Sequence, residues 1–458
     1  MSKQNISLEF VGNNLFNQAA SNISISANPN QSSEISSQPP PPIPPQIGPD
    51  PRSGRSTITF EELPTCLGAH GIRFDFAFGY RIRIPDNATS PYQVTIIDLD
   101  SECKLESFTL NPGQTKVADR KFYIRYRIEI RCKGELILEH NYNCRNQKVY
   151  IVIPDGGLGD NLAWLPYAEE FRLKHGAKVS VVIGEWMKLL VGDLYPGLDF
   201  VDAKEKPILK NAYANYFLGI FNKEKTSWRP IEHQQIGMQG SVASILGLPL
   251  EPLKCRLHRG SIRPFPERFV CISTMATNPG KYWNYPNGWE QIITFLNNNG
   301  FRVLDIDRDP VLIFDNKQYT IPKNAEDFTG RFPIQDRINL LEHADFFIGL
   351  PSGLSWLAWN LDIPTVMISG FTMPNCEFPT PYRVTNYLYC HGCWNDSNEF
   401  FDPNVPVWCP RHVGTAREIE CTKTITPKMV RETIEKIPQF IQGAYEHRMN
   451  PEGKSATR

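Results

Sequence analysis

Four cysteines near the carboxyl end carry the clearest chemical signal in the sequence. They follow the pattern Cys-x2-Cys-x15-Cys-x11-Cys. Two thiolates on one Cys-x2-Cys turn can hold a single tetrahedral ion, but the wider spacing of the second pair matches a zinc ribbon only in part. The spacing predicts a structural metal site and, taken alone, favours zinc; the alternatives are four buried thiols or ligation by His391 or His412. The predicted ligands are Cys390, Cys393, Cys409 and Cys421.

A glycine-rich turn, Asp155-Gly-Gly-Leu-Gly-Asp-Asn161, joins a predicted buried strand to a predicted helix. Glycines at such a junction allow a tight turn and let a ligand approach the backbone amides. The turn matches neither the GxGxxG fingerprint nor a P-loop. Asp160 lies where a carboxylate could take a proton from an attacking hydroxyl. The alternative is that Asp160 or Asn161 only caps the helix.

Two further loops also join a strand to a helix. Residues 273–283 offer hydroxyls, one glycine and Lys281, a combination that suits a diphosphate at a helix entry. Residues 349–358 would direct the amides of 352–355 into the same cleft. Each loop could equally be an ordinary surface turn.

The elements that must position these loops change character along the chain. Residues 58–147 alternate apolar and polar side chains, which predicts an all-β barrel or sandwich. From residue 148, continuous apolar strands alternate with helices, which predicts an α/β fold of two Rossmann-like domains with a cleft between them. The predicted regions are a disordered tail (1–57), the β domain (58–147), the two α/β domains (148–255 and 256–447), a Cys-rich insert (376–421) and a second tail (448–458).

Composition narrows the function classes. The chain has 458 residues and a formal net charge of -1, which argues against a nucleic-acid partner. The sequence contains no apolar stretch of membrane-spanning length and its start does not read as a signal peptide, so we expect a cytoplasmic protein. In a reducing compartment its 11 cysteines are expected to be free thiols or metal ligands.

Taken together, these motifs resemble the bacterial autotransporter heptosyltransferases, relatives of the lipopolysaccharide heptosyltransferases. The resemblance rests on the β domain before the α/β halves, the Gly-Gly-Leu-Gly-Asp-Asn turn, the Gly-Lys-Tyr-Trp segment at 280–283 and the Cys-rich insert. It implies a GT-B fold and an inverting transfer of heptose from ADP-heptose to serines of an autotransporter adhesin. It also implies a dodecamer, structural iron in place of zinc, and no catalytic divalent metal.

The resemblance assigns roles to individual residues. It makes Asp160 the catalytic base and Lys281 the diphosphate ligand. Pro351 stands where the lipopolysaccharide branch carries an aspartate. At the end of a predicted strand, Asp305 or Asp307 could hold the ribose. The remaining residues assigned to substrate binding are Gly159, Asn161, Thr277, Ser352, Gly353 and Leu354.

Two alternative functions are compatible with the same sequence features. One is a lipopolysaccharide core heptosyltransferase, which differs in its acceptor: a lipid-linked saccharide in place of an adhesin serine. The other is a non-catalytic binding scaffold that is held together by its metal ion. ADP-heptose would not raise the melting temperature of such a scaffold.

Overall fold

The computed structural model describes residues 59–449, except for 155, 206–207, 220–224, 261, 315, 400, 403–404 and 406. The tail predicted at 1–57 therefore lies outside the described residues, as do residues 450–458 of the tail predicted at 448–458, whose first two residues belong to a helix. No described helix is long and apolar enough to cross a membrane.

The first part of the described chain forms short strands. Burial alternates along the strand at Tyr126–Cys132, as the period-2 pattern predicts. Residues 122–125 continue the sequence pattern but form no strand, because the amide of Tyr123 bonds to the carbonyl of Ile245 instead. The strands are β1 (Thr59–Phe60), β2 (Cys66–Leu67), β3 (Arg73–Ala77), β4 (Arg81–Arg83), β5 (Tyr92–Asp98), β6 (Lys104–Leu110), β7 (Thr115–Val117), β8 (Tyr126–Cys132) and β9 (Glu135–Asn141).

The amino-terminal α/β half follows. Val149 to Val152 are all buried, which is why this run forms a central parallel strand. The elements are β10 (Lys148–Val152), α1 (Leu158–His175), β11 (Lys178–Ile183), α2 (Glu185–Val191), β12 (Asp199–Asp202), β13 (Ile208–Leu209), β14 (Ala214–Phe217), α3 (Lys225–Trp228) and α4 (His233–Ile245).

The carboxyl-terminal α/β half follows an irregular connection through residues 247–268. Its elements are β15 (Phe269–Ile272), α5 (Gly288–Asn297), β16 (Arg302–Asp305), β17 (Val311–Phe314), β18 (Lys317–Thr320), β19 (Glu326–Asp327), α6 (Ile334–Leu341), β20 (Phe347–Gly349), α7 (Gly353–Asn360), β21 (Thr365–Ile368), β22 (Arg383–Val384), α8 (Glu420–Lys423), α9 (Pro427–Ile434) and α10 (Pro438–Met449). The helices α9 and α10 are separate, because the ring of Pro438 cannot continue the hydrogen-bond ladder of the preceding helix.

Both halves have the strand order of doubly wound sheets. The carboxyl-terminal sheet runs β19-β16-β15-β20-β21-β22, all parallel, and the amino-terminal sheet contains β12-β11-β10-β14 in the corresponding order. The order reverses between β10 and β14 and between β15 and β20. Ligands bind at such switch points, beyond the carboxyl ends of the strands. The loops after β10, β15 and β20 therefore lie where a ligand site is expected.

The β region is not separated from the α/β halves. Strand β3 pairs in parallel with β14, and β4 and β7 extend the same sheet, whereas β6-β5-β8-β9 form an antiparallel sheet of their own. The domain boundary predicted at residue 148 therefore lies within one continuous sheet. The predicted insert of 376–421 contains β22, which is the last strand of the carboxyl-terminal sheet. The first part of the insert therefore belongs to that sheet.

Candidate active site between the two α/β halves

Asp160 lies in the first turn of α1, directly after β10. Its Oδ2 accepts a hydrogen bond from the Gly157 amide at 2.8 Å, so part of the carboxylate caps the helix. No described residue donates a hydrogen bond to Oδ1. A β-carbon on Gly156 would lie 2.9 Å from Oδ2, which explains a glycine at that position. Oδ2 of the carboxylate therefore caps the helix, and Oδ1 is left to bind another group.

Asp160 interacts electrostatically with Lys281, which belongs to the other α/β half. Burial raises the pKa of the Asp160 carboxyl, while the Gly157 amide and the positive charge of Lys281 oppose that rise. A carboxylate with a raised pKa is a stronger base than an exposed one. The two groups predicted to act in catalysis thus lie within electrostatic range of each other.

Lys281 ends a short 3-10 helix, Pro279–Lys281, that follows β15. Asn278 caps this helix, since its Oδ1 accepts a hydrogen bond from the Gly280 amide at 2.8 Å. The ammonium of Lys281 lies 5.9 Å from the centre of the Phe371 ring. Among the described residues it has no ion-pair partner within 4.0 Å, so its charge is open to an anionic ligand. Thr277 is exposed beside this helix.

The amino terminus of α7 meets the amino terminus of α1. The side chain of Ser352, the N-cap residue, has a buried hydroxyl with no hydrogen-bond partner. A β-carbon on Gly353 would lie 2.9 Å from the Leu158 β-carbon, and one on Gly159 would lie 2.8 Å from Trp356. Gly159 and Gly353 therefore serve helix packing. Ser352 is the residue of this loop that has a free polar group.

Asp305, predicted to bind substrate, is buried at the end of β16. Its side chain is 0% exposed, and its oxygens accept hydrogen bonds from the Thr274 hydroxyl at 3.0 Å and the Asp307 amide at 3.1 Å. The neighbouring Asp307 accepts from the amides of Thr274 and Met275. The two aspartates therefore fix the loop that leads to Lys281, because their buried carboxylates accept hydrogen bonds from its residues.

Asn161 also supports the site from within. It is buried, and its amide donates to the carbonyls of Gly156 and Gly157 at 3.1 and 3.0 Å. The glycine turn is thus held in place by its own last residue. Pro351 is buried and contributes no polar group to the cleft.

The predicted cysteine ligands converge. All four line one small cavity, together with His412, Glu420, Phe371, Trp408 and Gly280. The sulfur of Cys409 accepts from the Ile419 amide at 3.3 Å. Ligand atoms of Cys390, His412 and Glu420 lie within 4.8 Å of one another. The described residues thus include a group able to hold a metal ion.

The chemistry of this cavity fits a soft metal bound by thiolates. Burial and the neighbouring thiols raise the pKa of both Cys393 and Cys421 to about 12. A bound cation would relieve this repulsion and displace the thiol protons. Glu420 supports the cysteine cavity from its edge. A hydrogen bond from Arg417 lowers the pKa of the Glu420 carboxyl to about 2, and its Oε1 also accepts a hydrogen bond from the Cys390 amide at 3.1 Å.

Sequence reasoning missed two residues that shape the site. Phe371 contacts both the Lys281 ammonium and the cysteine cavity, and Asn278 links the Lys281 turn to the insert. A lone aromatic residue has no distinguishing spacing, so only the fold reveals the role of Phe371. The Asn278-Pro279 pair is a recognisable helix-entry signal and could have identified the cap.

Comparisons with known proteins agree with this description. Residues 68–134 match the family model "Glycosyltransferase TibC, N-terminal domain", and residues 233–397 match "Glycosyltransferase family 9 (heptosyltransferase)". The chain is 39% identical over 386 residues to the autotransporter heptosyltransferase TibC of Escherichia coli O78:H11, covering 84% of this chain and 94% of that protein. Over 382 residues it is 39% identical to the heptosyltransferase BAHTCr of Citrobacter rodentium, covering 83% and 92%.

A more distant relative is described as inactive. It is the autotransporter heptosyltransferase BimC of Burkholderia thailandensis, 33% identical over 381 residues, covering 82% of this chain and 88% of that protein.

Solved structures of TibC match the fold. An iron-containing dodecameric TibC has a TM-score of 0.79 at 38% identity, with 83% of this chain and 99% of that one covered. TibC in complex with ADP-D-beta-D-heptose also has a TM-score of 0.79 at 38% identity, covering 84% and 100%.

Two Rossmann-like halves with a charged cleft between them, preceded by a β-rich region, define a glycosyltransferase of the GT-B type. The sheet order and the facing loops place this chain in that class. Within it, the chain belongs to the autotransporter heptosyltransferases.

Proposed function

We propose that this protein transfers heptose from ADP-heptose to serine hydroxyls of an autotransporter adhesin, with inversion at the anomeric carbon. The observation that carries the proposal is the electrostatic interaction of Asp160 with Lys281 across the two halves, whose helix ends meet at Gly159 and Gly353. A base and a cation at one cleft suit a displacement in which a hydroxyl loses a proton while a diphosphate leaves. The donor and the kind of acceptor are inferred from the relatives.

The reaction is a single displacement. The serine oxygen forms a bond to the anomeric carbon as the bond from that carbon to the diphosphate oxygen breaks, and Asp160 takes the serine proton. Oδ1 is the oxygen for this task, since Oδ2 is held by the Gly157 amide. Asp160 therefore acts as general base.

Lys281 and the amino terminus of α7 stabilise the departing ADP. The lysine supplies a point charge, and the free amides of the helix, with the unpartnered Ser352 hydroxyl, supply hydrogen bonds. These groups offset the growing negative charge without a catalytic divalent metal. Thr277 is exposed beside the same turn, and in this proposal its side chain contacts the nucleotide-sugar.

The four cysteines are proposed to hold structural iron, by analogy with the iron-containing TibC. A structural iron would fix the geometry of the insert. We also propose a dodecamer, as TibC forms, and a cytoplasmic location, where the acceptor could be modified before export.

Co-expression with a candidate autotransporter, followed by intact mass measurement of the adhesin, tests the proposal. We expect mass increments of one heptose, mapped to serines. A matched strain lacking ADP-heptose synthesis should give no increments. Modification of lipopolysaccharide core with an unmodified adhesin would instead support the related core transferases. No transfer to either acceptor, despite bound ADP-heptose, would overturn the enzymatic proposal.

A further inference from the structure

The turn that carries Lys281 rests directly on the cysteine cavity. Gly280, the residue before Lys281, lines that cavity together with Cys393 and Cys409. A β-carbon on Gly280 would lie 3.5 Å from the carbonyl oxygen of Trp408. The candidate metal site and the candidate diphosphate site are therefore in contact through one residue of backbone.

Asn278 links the two sites by hydrogen bonds. It is only 3% exposed. Its Oδ1 accepts from the Gly280 amide at 2.8 Å, and its Nδ2 donates to the Val405 carbonyl at 3.1 Å. One side-chain amide thus fixes the Lys281 turn to the segment between Cys393 and Cys409.

Phe371 makes a second link. Its ring lies 5.9 Å from the Lys281 ammonium and 5.7 Å from the centre of the Trp408 ring. Phe371, Trp408 and Cys393 form one buried apolar cluster. The support beneath the lysine is thus built from the residues that surround the cysteines.

We infer that Asn278 is a positioning residue that transmits the order of the cysteine-rich insert to Lys281, so that a properly formed insert raises the affinity for a nucleoside diphosphate. The metal need not touch the donor, because the insert acts through the Asn278 bridge. This inference depends on the proposed function, in that it takes Lys281 to bind the diphosphate of an ADP-sugar.

The test measures calorimetric affinity for ADP, with no acceptor present. Asn278→Ser keeps a side chain that can cap the 3-10 helix but is too short to reach Val405. We expect it to weaken ADP binding on the order of fivefold, the value of one buried hydrogen bond. Metal content by elemental analysis and oligomeric state by light scattering should match the unaltered protein. Asn324→Ser is the control for the substitution itself: it removes an exposed asparagine bridge to Glu290 and Thr294 and should leave ADP affinity unchanged.

A double-mutant cycle with Lys281→Ala separates positioning from a general loss of structure. If Asn278 acts through Lys281, Asn278→Ser should cause no further loss of ADP affinity once the lysine is gone. Unchanged affinity in Asn278→Ser, or an equal loss with and without Lys281, would overturn the inference while leaving the proposed function intact. Absence of ADP binding by the unaltered protein would instead overturn the proposed function.

Discussion

Gly353 at the start of α7 packs against Gly159 at the start of α1, so closely that a β-carbon on Gly353 would lie 3.1 Å from the Gly159 backbone nitrogen. The two helices belong to different α/β halves. Their contact brings the loop of Asp160 beside the loop of Ser352. The close approach of the two halves at this point therefore depends on two residues that have no side chain.

Gly353→Ala should force these helix ends apart. The added methyl would meet the Leu158 β-carbon at 2.9 Å, and such overpacking costs about 1–3 kcal/mol. We expect a lower melting temperature and reduced heptose transfer. Gly192→Ala is the control, because the nearest atom to its added carbon lies 3.6 Å away. Equal stability of the two variants would contradict the packing described here.

Asp160→Asn should fold and bind ADP but transfer heptose about 10²–10⁴ times more slowly. The asparagine oxygen can still accept from the Gly157 amide, so the helix cap is retained. Because burial raises the pKa of Asp160, the ionised carboxylate destabilises the fold at neutral pH, and the neutral amide removes that cost. We therefore expect a melting temperature equal to or above that of the unaltered protein. Near-normal transfer rates would exclude Asp160 as the base.

Lys281→Met should move the acid limb of the transfer rate to higher pH. Lys281 opposes the rise in the Asp160 pKa, so its loss raises that pKa further and the base is protonated at a higher pH. The measurement is kcat against pH at saturating ADP-heptose. Lys317→Met, which alters an exposed lysine on β18, should leave the profile in place. A profile of Lys281→Met that coincides with the original would show that the two charges do not interact.

Cys393→Ser should lower the amount of bound metal per chain. A serine hydroxyl does not replace a thiolate as a ligand for a soft metal. Elemental analysis of the purified protein measures this directly and also identifies the metal. Cys103→Ser, which changes an exposed cysteine outside the cavity, should retain the full metal content. A fully loaded Cys393→Ser protein would remove Cys393 from the ligand set.

Gln234→Ala should loosen the contact between α4 and the insert. The Gln234 amide donates to the carbonyl oxygens of Trp394 and Asp396 at 3.0 and 2.7 Å. Leaving buried carbonyls unpaired costs about 1–3 kcal/mol, which thermal unfolding would detect. Gln442→Ala removes an exposed hydrogen bond to Glu446 and should have little effect. If both variants unfold at the same temperature, the bridge contributes no stability.

The local features of the fold follow from sequence pattern. The buried run at 149–152 and the alternation at 126–132 predict their strands. Each depends on neighbours in the chain, which is why reasoning from one sequence succeeds. The alternation at 122–125 shows the limit, because a tertiary hydrogen bond from Tyr123 to Ile245 replaces strand pairing there.

The residue types available for chemistry can be read from the chain: a carboxylate in a glycine turn, a lysine at a helix entry and four cysteines with metal-ligand spacing. Which of these residues lie near one another depends on the folded chain. Folding brings Asp160 within electrostatic range of Lys281, buries Asp305 and puts Gly280 at the wall of the cysteine cavity. The physical reason is that sheet order and helix packing set these distances, and both depend on contacts between residues far apart in the chain.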